Sequence, residues 1–72
     1  MRTIIDANGL RWQVMIGKES WGTLVLLFSP ADGSGARTSI LSSETMLAAN
    51  AELDALSDQE LLERLRDGRP WS

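Results

Sequence analysis

Residues 21 to 30, WGTLVLLFSP, hold five consecutive large apolar side chains, Leu24 to Phe28, between a Trp-Gly-Thr lead-in and a Ser-Pro stop. A run of five is far shorter than the roughly 20 residues that cross a bilayer. It reads as a strand that Pro30, which cannot donate to a ladder, brings to an end. Strand side chains alternate between two faces, so an unbroken apolar run asks for cover on both. The chain has only 72 residues, near the lower limit for a self-sufficient core, and one domain spanning 1–72 is the expectation. The central question for this sequence is therefore what covers the second face of strand three.

The N-terminal segment is a hairpin. In DANGLRW, Asn8-Gly9 is the strongest short hairpin signal, because a type I′ turn needs positive φ at both central positions. With Asn8-Gly9 as a two-residue loop, Ala7 pairs with Leu10, Asp6 with Arg11, Ile5 with Trp12, Ile4 with Gln13 and Thr3 with Val14. One face then collects Thr3, Ile5, Ala7, Leu10, Trp12, Val14 and Ile16. The other collects Arg2, Ile4, Asp6, Arg11, Gln13 and Met15, with Asp6 and Arg11 as a cross-strand charge pair. GKESWG is a loop with Gly at each end, and strand three runs from about Thr23 to Ser29. PADGSGA is a turn centred on Asp32-Gly33. A shorter strand, ARTSIL, places Thr38 and Ile40 on one face and Arg37, Ser39 and Leu41 on the other. Together these form an antiparallel meander of three to four strands.

From Ser42 the pattern changes. SSETMLAANAELDAL is rich in good helix formers, with Met46, Ala49, Leu53 and Leu56 at helical spacing; Asn50 and Asp54 weaken it, so either a helix or a short helix and a loop fits. LSDQELLERLRDGRP is clearer. Ser57 with Glu60 three residues on is a capping box, and Leu56 and Leu61 sit where a hydrophobic staple packs. Asp58 and Glu60 favour the helix start. Gly68 suits the left-handed C′ position, with Pro70 beyond it. Leu61, Leu62 and Leu65 make the apolar stripe, and Glu60 with Arg64 is a favourable i,i+4 pair. The predicted fold is α+β: the meander followed by one or two C-terminal helices packed on one sheet face.

This layout resembles short uncharacterised bacterial proteins that open on a D-x-x-G-x-x-W-x-V-like hairpin, here DANGLRWQV, and close on a leucine-rich capped helix like LSDQELLERLRDGRP. The resemblance covers both ends of the chain and implies no known activity.

Chemistry has little to stand on. The sequence has no Cys, His or Tyr, which removes the disulfide staple, the thiolate ligand and the commonest acid/base and metal ligand. Lys18, the only Lys, with Ser20 is a conceivable Ser-Lys pair, but a solvated loop explains both. Asp58 and Glu60 are explained by capping and dipole roles. GSG after Asp32 lacks the Lys and the helix start of a phosphate loop. No catalytic, cofactor or metal residue is expected, and the chain is read as a non-enzyme. Residues 1–41 carry four basic and three acidic side chains, residues 42–72 three and seven; an acidic C-terminal part argues against direct nucleic-acid binding. MRTIIDANG lacks the apolar stretch of a signal peptide, so a cytoplasmic location is expected.

The expected function is a non-catalytic protein–protein interaction module, a small adaptor or inhibitor that acts by surface occupation, alone or as a homodimer. The partner is another protein chain, self or larger. An acidic decoy of phage type, blocking a nucleic-acid-binding surface of its target, is one alternative; a small enzyme or ligand-binding subunit is the other. The expected contact residues lie on strand three, as Leu24, Leu26 and Phe28 or as Val25 and Leu27, with Ile4 and Met15 beside it. Trp12 belongs in the core. Trp21 and Trp71 flank a loop and a terminus, where either could serve as an anchor.

Overall fold

The computed structural model of the chain describes residues 2–19 and 22–71. Its elements are β1 (Arg2–Ile5), β2 (Arg11–Lys18), β3 (Leu24–Pro30), β4 (Arg37–Ile40), α1 (Met46–Ala55), α2 (Asp58–Arg66) and β5 (Arg69–Pro70). The five strands form one antiparallel sheet in the order β1-β2-β3-β4-β5. The α+β architecture is as the sequence predicts, with one strand more: β5, two residues long, pairs with β4 after α2 has crossed back.

The register of the first hairpin corrects the sequence reading. Ile4, not Ile5, stands opposite Trp12, and Ile5 faces Arg11. The loop has three residues rather than two. The Gly9 amide donates to the Asp6 carbonyl and the Asp6 amide to the Leu10 carbonyl, both at 3.0 Å, and only Gly9 has positive φ there. This is a type I turn followed by a left-handed glycine, which demands no strain from Asn8. Asp6 decides the choice. One carboxylate oxygen accepts the Asn8 amide at 2.9 Å and the Leu10 amide at 3.0 Å, and the other accepts the Trp12 indole N–H at 2.9 Å. A two-residue loop would have left Asp6 in the ladder with none of these. A slip of one residue exchanges the faces of a strand: Ile4 is buried at 2% exposure and Ile5 is 57% exposed.

The sheet's inner face is covered by both helices. Rows across it read Ile4-Trp12-Pro30, Arg2-Val14-Phe28-Arg37-Pro70 and Ile16-Leu26-Ser39. Against these pack Ala49 and Leu53 from α1, Leu61 and Leu65 from α2, and Leu41 from the connection between β4 and α1. The long central row carries an arginine towards each edge. Arg2 donates to the carbonyls of Leu53 and Leu56 at the end of α1 and pairs with Asp58 at the start of α2. Arg37 reaches the Gly68 carbonyl beyond the end of α2 at 2.5 Å.

Two local signals in α2 are realised. The Ser57 hydroxyl accepts the Glu60 amide at 3.1 Å and the Glu60 carboxylate accepts the Ser57 amide at 2.9 Å. Leu56 and Leu61 both pack on the core, as a staple requires. Two others are not. Arg64 turns to Glu52 of α1, at 3.9 Å, instead of Glu60. Gly68 does not adopt positive φ; a Cβ there would come within 2.8 Å of the Thr38 carbonyl oxygen, so close approach of β4 is what calls for glycine.

Candidate interaction surfaces

The question raised by strand three has a definite answer on one side. Leu24, Leu26 and Phe28 point inward and are buried under the helices, as is Ile4; these four expected contact residues are core residues, Ile4 because of the register shift. Val25 and Leu27 point to the opposite face. There the rows read Gly17-Val25-Ile40 and Met15-Leu27-Thr38-Arg69, followed by Thr3-Gln13-Ser29 and Ile5-Arg11. Among the described residues no helix lies on this face. Its apolar part lies mainly at one end of the sheet, and its other end is polar apart from the exposed Ile5.

Val25 is 0% exposed there, and part of its contact is with the backbone of the neighbouring strand. Gly17 is its cross-strand partner, and a Cβ on Gly17 would stand 3.4 Å from both the Val25 Cγ2 and the Leu27 Cβ. The absence of a side chain at Gly17 lets its neighbours close over the backbone. Val25 itself is therefore not a contact surface in the isolated chain. The surface is its surround: Leu27 and Met15, half-buried, and Ile40, 59% exposed. The strand residues of this face include Arg11 and Arg69 and no acid. Trp71 is 44% exposed, with its amide on the Ala36 carbonyl at 2.8 Å; Trp21 lies outside the described residues.

Ile5 and Ile40 were not among the expected contact residues. Ile40 was legible as lying on the Thr38 side, but not as uncovered. Ile5 was hidden by the register. The exposed side of α1 was also missed: Leu47 is 84% and Met46 49% exposed, and Ala48, Ala51 and Ala55 lie in the open with them.

A cleft of about 440 Å³ opens on the other side of the molecule, between the tip of the first hairpin and α2. Trp12, Leu62 and Leu65 supply its apolar surface, and Asp6, Arg37, Glu63 and Arg66 its charges. The Trp12 indole N–H, followed by the Leu10 amide, holds the Asp6 carboxyl below the ordinary carboxylate range. Glu60 is likewise lowered, chiefly by the Ser57 amide, and Asp32 by the Ser34 hydroxyl and amide in its own turn. Each of these carboxylates is spent on fixing a turn or a cap.

Among the described residues no group of three or more acidic side chains is placed to hold a metal ion, and no helix is long and apolar enough to cross a membrane. No protein-family model, no curated protein and no solved structure matches this chain.

Proposed function

We propose that the chain is a non-catalytic protein–protein interaction module that works by occupying a partner's surface, as a small adaptor or inhibitor. The observation that carries this reading is the helix-free side of the sheet, where Met15, Leu27 and Ile40 surround the closed-over Val25. A contiguous apolar strip asks for an explanation where scattered apolar residues do not. Arg69 next to Thr38, with Glu19 and Asp67 near Ile40, gives the strip a rim of both signs, which favours a partner whose contact surface is apolar and ringed by mixed charge. Area buried there yields about 25 cal/mol per Å² before association costs are subtracted.

Self-association is the version to test first. Light scattering across a dilution series should show a mass falling from dimer to monomer. Ile40→Glu, at an exposed position, should leave the chain monomeric at every concentration, with a thermal midpoint that no longer depends on concentration and matches that of the wild type diluted to monomer. A wild-type chain that is monomeric throughout eliminates the homodimer. The larger-partner version then rests on protection of the Met15, Leu27 and Ile40 amide region by a captured protein, and fails if protection maps elsewhere.

A further inference from the structure

Arg2 and Arg37 occupy the same row of the inner face, on either side of Val14 and Phe28, yet their surroundings differ. Arg2 has a carboxylate, Asp58, and two carbonyls. Arg37 makes one hydrogen bond, from Nη2 to the Gly68 carbonyl, and its Nε is shielded from solvent with no acceptor. The ion pairs among the described residues are Arg2–Asp58, Arg64–Glu52 and Arg66–Asp67, so Arg37 is a half-buried cation without a counter-charge. A buried donor left unpaired calls for a reason, and Arg37 is one of the residues that line the cleft.

We propose that this cleft binds a small carboxylate carried on an apolar or aromatic body, free or as the C-terminal residue of a peptide, with Arg37 receiving the carboxylate. Three features of the cleft select that chemistry. The guanidinium is built for paired hydrogen bonds to a carboxylate. Trp12, Leu62 and Leu65 offer an apolar bed, and about 440 Å³ accommodates a body the size of a large amino-acid side chain. Asp6 accepts from the hairpin amides and the indole and forms no ion pair with Arg37. Asp6 and Glu63 set two negative charges against Arg37 and Arg66 around the cleft, a balance that disfavours a dianion such as phosphate more than a monocarboxylate. The site stands apart from the helix-free sheet face, so either can fail without the other.

The test is an NMR titration of the isotope-labelled chain with phenylacetate, phenylacetamide and inorganic phosphate, following the Trp12 indole N–H, the Arg37 Nε–H and the Leu62–Arg66 amides. Saturable shifts confined to these groups are expected with phenylacetate, and about tenfold or more weaker binding with the amide. A tripeptide ending in Phe with a free C-terminus, set against its C-terminal amide, identifies the source. Tighter binding of the free-acid peptide than of phenylacetate assigns the site to chain termini, and the reverse assigns it to free acids. Arg37→Gln should abolish the response. Because it also releases the Gly68 carbonyl, Arg66→Gln, expected to weaken binding only a few-fold, and the acid–amide comparison on the unaltered chain provide readings that need no disruptive variant. Equal response to acid and amide, response to phosphate alone, or no saturable shift with any probe would overturn the proposal.

Discussion

The two helices are consecutive, similar in length and laid on the same face of the sheet, yet they are made differently. α2 carries its instructions within itself: a capping box, acids in its first turn, Arg64 and Arg66 in its last, and an exposed side formed by charged and polar residues. α1 has a single cap, the Thr45 hydroxyl accepting the Ala48 amide at 3.2 Å, with no acid in its first turn and no base in its last. Its basic end group comes from outside, when Arg2 of β1 donates to the Leu53 and Leu56 carbonyls. Cations at a helix C-terminus offset its partial negative charge, so a tertiary contact does for α1 what local sequence does for α2. The exposed side of α1 is Met46, Leu47, Ala48, Ala51 and Ala55, interrupted by Asn50 and Asp54. A helix apolar on both sides has no sharp inside and outside in its sequence, which is why its two core anchors, Ala49 and Leu53, did not stand out from Met46.

The contrast can be broken most forcefully within α1. Leu53→Ala should cost about 2–5 kcal/mol, as expected of a fully buried leucine, while Leu47→Ala should change stability by no more than about 0.5 kcal/mol. Denaturant midpoints at equal m-value check both. Equal losses would mean that Leu47 is packed and the exposed side of α1 is wrongly drawn.

Removing the borrowed cap comes next. Arg2→Met deletes charged hydrogen bonds to α1 and the ion pair to Asp58, with an expected loss of about 1–3 kcal/mol. Hydrogen exchange should accelerate in the last turn of α1 and leave the interior of α2 unchanged. Uniform acceleration would show that the two helices open as one unit and that the distinction between them is only descriptive.

Ser57→Ala addresses the self-contained helix and should cost about 0.5–2 kcal/mol, read as a lower denaturation midpoint with faster exchange confined to the first turn of α2. The smallest effect is that of pH. Asp6, Asp32 and Glu60 have folded-state values lowered by their hydrogen bonds. Their contribution is fully present above the ordinary carboxylate range and is lost as pH falls below that range through the lowered folded values. Stability should be flat on the mild side of that window and decline on the acid side, with a shallower decline in Glu60→Gln, which has no carboxyl to titrate at the cap. An identical acid slope in the variant would remove Glu60 from the account.

Legibility followed the range of the interactions. The capping box, the antiparallel meander and the C-terminal helices on one face were all readable, since each depends on residues a few positions apart or on a repeated pattern. The first hairpin failed by one residue because Asn8-Gly9 and Asp6–Gly9 are both good turn signals. The three hydrogen bonds that Asp6 accepts decide between them, one of them from a Trp on the facing strand. Of the expected contact residues, Met15 and Leu27 stand at the open face, while Leu24, Leu26, Phe28 and Ile4 lie in the core. The choice between the two sides of strand three was open in the sequence because both are apolar.

By itself, then, the sequence determined the elements whose hydrogen bonds close locally: the α2 cap, the Asp32-Gly33 turn and the strand ended by Pro30. It also asked for cover on both faces of strand three, since its side chains are apolar on both. Which face the helices take, the burial of Val25 above Gly17, the docking of β5 on β4 and the unequal fates of Arg2 and Arg37 were decided only in three dimensions. Each depends on residues brought together from distant parts of the chain, where a partner's identity, and not a residue's own propensity, sets the free energy of the contact.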